Sequence, residues 1–274
     1  MQTVYDREVT LHSRNVQGRN ALTERAGRAA VFYKPAHARK TQPGAWRRLA
    51  AVALCCGALL CAFRLYGRAR SRFGVQLPVR TVLQNPELPN GCEITSCCEV
   101  LHYLGFAPDK CELADHYLPR SAQWYGADPD EVYMGNPHLD DGSPETGYYC
   151  FAGPIVQAAN AYLAVQGSSC RAYDLTGAEE AELASQLQAG DPVIFWATLH
   201  FGDIQHDPCG EYDLPGGRRH EVLHTLHCMV LCGMDDQNFV VADPLDFNRV
   251  VPRVQFMKIY RQLGRRAVVI KKDS

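Results

Sequence analysis

Apolar residues at Ile94, Cys97, Cys98, Leu101 and Leu104 recur at helical spacing until Gly105. The pattern predicts a helix that opens at Cys92, directly after the turn signal Pro89-Asn90-Gly91. A shorter helix is expected over 111–117, and the Gly-, Pro- and Asp-rich residues 118–146 read as a long loop. Its aromatic residues Trp124, Tyr125 and Tyr133 either line a cleft or pin the loop. Ile155, Val156, Ala158, Ala159, Tyr162 and Leu163 mark a helix with Pro154 in its first turn and Gly167 at its end. Leu183 and Leu187, behind an acidic first turn, mark another that closes at Gly190. From Val193 to Leu199 the chain is apolar and rich in β-formers, as a central strand requires. The polar residues 200–219 read as a loop. Cys228-Met229-Val230-Leu231-Cys232 and Phe239-Val240-Val241-Ala242, with Met234-Asp235-Asp236-Gln237 between them, predict a hairpin. Residues 252–263 read as a helix and 267–270 as a last strand. Helices first and antiparallel strands later favour an α+β fold.

Charge divides the chain. Residues 1–72 hold 14 of the 28 Lys and Arg but 3 of the 30 Asp and Glu, so this part is +11 and the remainder −13. A basic leader on an acidic body argues against a nucleic-acid-binding core and for a leader that meets an anionic membrane surface. Residues 49–63 form an uncharged apolar run between Arg48 and Arg64, short for a span unless those arginines snorkel, with Trp46 and Tyr66 at the interfaces. The expectation is a disordered basic tail over 1–46, a retained single-pass anchor over 47–66, a basic linker over 67–74 and one globular domain over 75–272. A cleaved signal peptide fits the run less well, because the preceding segment is long and no clean cleavage site follows. Lys and Arg counts on the two sides are similar and leave the orientation open.

Cys92 is the candidate nucleophile. In the first turn of a helix, unpaired N–H groups and the positive dipole end favour a thiolate. A thiolate needs a base and an orienting group, and the hairpin offers both: His227 at the entry of its first strand and Asp243 at the exit of its second. Gln84, a short way before Cys92, is a candidate oxyanion donor. A rival motif, His220-Glu221-Val222-Leu223-His224, matches the H-E-x-x-H of zinc hydrolases, but Gly216-Gly217 before it and a β-run after it leave no room for the helix that motif needs. No C-x-x-C pair occurs in the domain, so no structural zinc site is expected and no cofactor is called for. Eight domain cysteines besides Cys92 could pair in an oxidising compartment or stay free in an anaerobic one.

Leu88-Pro89-Asn90-Gly91-Cys92-Glu93-Ile94-Thr95-Ser96, Gly135-Asn136-Pro137, Pro154-Ile155-Val156 with Ala158-Ala159-Asn160, Gly190-Asp191-Pro192-Val193, His227-Cys228-Met229-Val230-Leu231 and Ala242-Asp243-Pro244-Leu245 keep one order along the chain. Together they resemble a family of bacterial cysteine-peptidase-like domains related to the bacteriocin-processing peptidases that cut after double-glycine leaders. The resemblance implies a papain-like fold, with the nucleophile on an N-terminal helix and the His and Asp on an antiparallel sheet. It implies Cys92 as nucleophile, His227 as base, Asp243 as orienting acid and Gln84 as oxyanion donor. Anchored members face the outside of the cell, which implies an extracytoplasmic domain acting on a peptide or protein substrate. Two other classes share these residues: a non-catalytic peptide- or surface-binding domain, and an acyl transferase in which an amine replaces water.

Overall fold

A computed structural model describes residues 49, 52–57 and 74–273. The chain divides into two units, residues 1–55 and 56–274. Of the first, only a few residues of the predicted anchor are described, and these are helical with exposed side chains. The expected tail, most of the anchor and the linker up to residue 73 lie outside the described residues. Among the described residues no helix is long and apolar enough to cross a membrane.

In the second unit an antiparallel sheet carries helices on both faces, an α+β architecture. Its strands are β1 (Val75–Gln76), β2 (Cys170–Asp174), β3 (Val193–Thr198), β6 (Leu226–Met234), β7 (Asn238–Ala242), β8 (Arg249–Pro252) and β9 (Ala267–Lys272). The order across the sheet is β2-β9-β3-β6-β7-β8, with β1 added to β6. Every side chain of β3 is buried, as its unbroken apolar run requires in a strand covered on both faces. On one face lie α1 (Cys92–Tyr103), α2 (Lys110–His116) and α3 (Ala152–Val165), with Ile94, Leu101, Leu113 and Ile155 in a core that takes in Val230 and Val268. On the other, α4 (Glu180–Ala189) and α5 (Arg253–Gln262) bring Leu183, Leu187, Phe256 and Tyr260 against Phe195, Met229 and Val241.

Several elements differ from the sequence expectation. Residues 200–219 are not a loop throughout, because β4 (His206–Asp213) and β5 (Arg219–Leu223) pair as a separate two-stranded sheet. Gly216 and Gly217 take the turn of this hairpin and Gly210 sits at an irregularity within β4, all three at positive φ, which is why the segment reads as loop. The edge strands β2 and β8 are short and half exposed, so neither carries an apolar pattern.

The long loop is pinned to the core by its aromatics. Tyr133 is fully buried and donates its hydroxyl to the Asn90 carbonyl at 2.6 Å, while Trp124 stacks on Tyr148 at 4.6 Å. Tyr125 leans on Tyr212, whose hydroxyl donates to the Ala127 carbonyl at 2.6 Å.

Candidate active site

Cys92 is placed by a turn that only glycine permits. The Gly91 N–H donates to the Leu88 carbonyl at 2.9 Å, and a Cβ on Gly91 would stand 2.6 Å from the Leu88 Cβ. The helix that follows is buried on every side from Cys92 to Leu101. One turn after Cys92, the Ser96 hydroxyl donates to the Cys228 carbonyl at 3.3 Å. That bond ties the start of α1 to β6 beside His227.

Sheet register assembles the other half. Val230 faces Ala242 and Leu231 faces Val241, which sets Asp243, just past β7, diagonally across from His227. Val241 in turn faces Arg249 on β8, so Arg249 flanks Asp243 from the far side. His227 Nε2 lies 2.7 Å from Asp243 Oδ1, with both side chains buried. Asp243 Oδ1 also accepts the Leu245 N–H at 2.9 Å, and Oδ2 pairs with the Arg249 guanidinium. Burial alone would raise the Asp243 pKa. The His227 hydrogen bond and charge, the Leu245 N–H and Arg249 outweigh it and hold the carboxyl below its ordinary range. A carboxylate only accepts, so the hydrogen between the two sits on Nε2, and in a neutral imidazole the lone pair is then on Nδ1. Nδ1 is thus the nitrogen able to take a proton from a thiol.

Cys92, His227 and Gln84 line one cleft of about 340 Å³, with Tyr148, Asp207 and Leu245 among the other walls. Gln84 is buried, and its backbone is gripped on both sides. Its N–H donates to the Pro244 carbonyl at 2.8 Å, and its carbonyl accepts from Lys110 Nζ at 2.8 Å. Its amide nitrogen gives one hydrogen to the Pro89 carbonyl at 2.6 Å, which leaves the second N–H for another acceptor.

The Cys92 sulfur departs from the sequence expectation. Its thiol donates to Glu93 Oε2 across 3.3 Å, and no hydrogen bond to His227 is formed among the described residues. Burial pushes the thiol pKa well up, and the neighbouring Glu93 and Cys228 push it further, against one backbone hydrogen bond from Cys228. Burial and the neighbouring carboxyl thus favour the thiol form of Cys92 in this arrangement.

Two residues important to the site were missed from sequence. Arg249 sits in a four-residue edge strand with no pattern to announce it. Glu93 lies beside Cys92, and only its adjacency in sequence pointed to it. His220, Glu221 and His224 do not form a metal cluster. His220 is buried within β5 and meets the Tyr149 hydroxyl at 3.0 Å, whereas Glu221 is exposed on the opposite face and pairs with His206. His224 pairs with Asp207 at 3.5 Å. Among the described residues no group of three or more His, Cys, Asp or Glu could hold a metal ion. Cys97, Cys98, Cys111, Cys150, Cys170, Cys228 and Cys232 are free thiols, as is Cys92.

A model of the Peptidase_C39 like family matches residues 76–268. Among curated proteins, the chain is 33% identical to the uncharacterised protein YvpB of Bacillus subtilis, over 73% of this chain and 78% of that one. Among solved structures, a Bacillus anthracis protein named provisionally as a C39-like peptidase is 30% identical at a TM-score of 0.63, covering 73% of this chain and 98% of its own. A double-glycine motif protease of an AMS/PCAT transporter, solved with its leader peptide, is 14% identical at a TM-score of 0.40, over 73% of this chain and 95% of that one, a likeness too low to carry an argument.

Proposed function

Because the chain belongs to the Peptidase_C39 like family and has the papain-like α+β fold, we propose that it is a cysteine peptidase-like hydrolase of peptide or isopeptide bonds. The observation that carries this reading is the His227 Nε2 to Asp243 Oδ1 hydrogen bond of 2.7 Å in the wall of the cleft that Cys92 also lines. In this reading His227 Nδ1 takes the Cys92 proton, and the thiolate attacks the carbonyl carbon. The free N–H of Gln84 and the Cys92 backbone N–H receive the oxyanion. His227 then returns its proton to the leaving amine, and water activated by the same nitrogen releases the acyl group. Asp243 holds the tautomer and balances the imidazolium.

We place the domain on a membrane anchor formed by residues 49–63, a reading supported by the apolar run and the basic leader, and outside the cell, as the family resemblance implies. The turn of the Cys92 thiol toward Glu93 favours a second reading, a peptide-binding domain that keeps the fold without turnover. Cys92→Ala separates the two. Hydrolysis of a peptide library, read by mass spectrometry, is expected to vanish in the variant while the unfolding midpoint stays within a few degrees. Turnover that survives the substitution rejects Cys92 as nucleophile, and a wild-type protein that binds peptides without cutting them supports the second reading.

A further inference from the structure

Glu93 has no surface exposed, yet it carries a carboxyl group next to the sulfur of the proposed nucleophile. Its Oε1 accepts the Cys150 N–H at 3.3 Å and its Oε2 accepts the Cys92 thiol at 3.3 Å. Among the described residues the titratable groups around it are all acids: Cys92 on its own helix, Tyr133 of the long loop, Tyr149 and Cys150 ahead of α3, and Cys228 of β6. None is a cation. A charge there is balanced only by dipoles, and a second negative charge on Cys92 would meet it with little screening.

We propose that Glu93 is a positioning residue that gates the nucleophile through its own protonation. Ionised, it accepts the S–H and holds Cys92 as a thiol away from His227. Protonated, it places no charge beside the sulfur and can offer its O–H to a thiolate. The S–H bond then breaks toward His227 Nδ1, leaving thiolate and imidazolium with charge conserved. Burial raises the Glu93 carboxyl to about 7, which puts the changeover at neutral pH. The gate rests on the proposed function, since it acts on the Cys92-His227 proton transfer.

The test is the rate at which iodoacetamide alkylates Cys92 between pH 5 and 9 in the full chain, read peptide by peptide, with buried Cys97 as the reporter of unfolding. The wild-type rate is expected to fall about tenfold between pH 6 and 8, against the rise shown by a simple thiol. Glu93→Gln, neutral at every pH, is expected to abolish that fall, so that at pH 8 it reacts about tenfold faster than wild type. A variant whose profile superimposes on wild type overturns the gate. If the variant does not fold, the wild-type profile decides alone, because a rate that climbs steadily with pH has the same consequence. Equal labelling of wild type and His227→Ala instead removes the base from under the proposed function.

Discussion

On the sheet side of the cleft, His227 is held by Asp243, and Asp243 is held by Arg249 and the Leu245 N–H. On the helix side, Cys92 meets Glu93, with Cys150 and Cys228 near by and no cation among the described residues. One side keeps a buried charge by surrounding it with donors. The other discourages a charge from forming. On the proposed reading, the difference teaches that His227 is prepared in advance as a base, whereas activation of Cys92 is left to the moment when sulfur and imidazole meet.

The largest way to break this comparison is to remove the base. His227→Ala is expected to lower kcat/KM on any peptide substrate by about a thousandfold, with most of the loss in kcat. A loss below tenfold would show that the prepared side is not the base.

A smaller effect is expected one step out. Arg249→Met removes a charge-assisted hydrogen bond from Asp243, and such a bond sustains about tenfold in rate. Because Asp243 acts through His227, the loss should appear in kcat with KM unchanged, and Arg249→Lys should recover part of it. Equal loss in both variants would make Arg249 a packing residue only.

The smallest effect is on stability and concerns the other acid of α1. Glu99 is fully buried, accepts the Val82 N–H at 2.8 Å through Oε1, and leaves Oε2 without a partner. Burial raises its carboxyl to about 8, with Asp243 adding to the rise. A folded-state pKa above the unfolded value means that the folded chain binds more protons, so stability is lost as pH climbs from about 5 to 8. Glu99→Gln should remove that loss, raising stability at pH 9 and changing it little at pH 5, measured as urea midpoints. A gain equal at both pH values would mean that ionisation is not its cause.

Much of the site was legible from sequence because its elements carry local signals. The turn before Cys92, the apolar run of β3 and the hairpin that brings His227 to Asp243 each follow from a few neighbouring residues. The β4-β5 sheet was not legible, since its glycines and Pro215 speak for a loop more strongly than its strands speak for themselves. The face of α1 was misleading for another reason. The apolar stripe leaves Glu99 on the opposite side of the helix, but α1 is wrapped by β6, β3, α3 and the long loop, and both Glu93 and Glu99 are enclosed.

The chain by itself determined which residues could do chemistry and the order in which they occur, because turn chemistry and strand alternation act over a few residues. Tertiary structure alone decided their protonation. Whether Cys92 is a thiol, Asp243 a carboxylate or Glu93 near half-charge at pH 7 depends on which groups from distant segments surround each one. Desolvation and charge are properties of that assembled neighbourhood, and no spacing along the chain carries them.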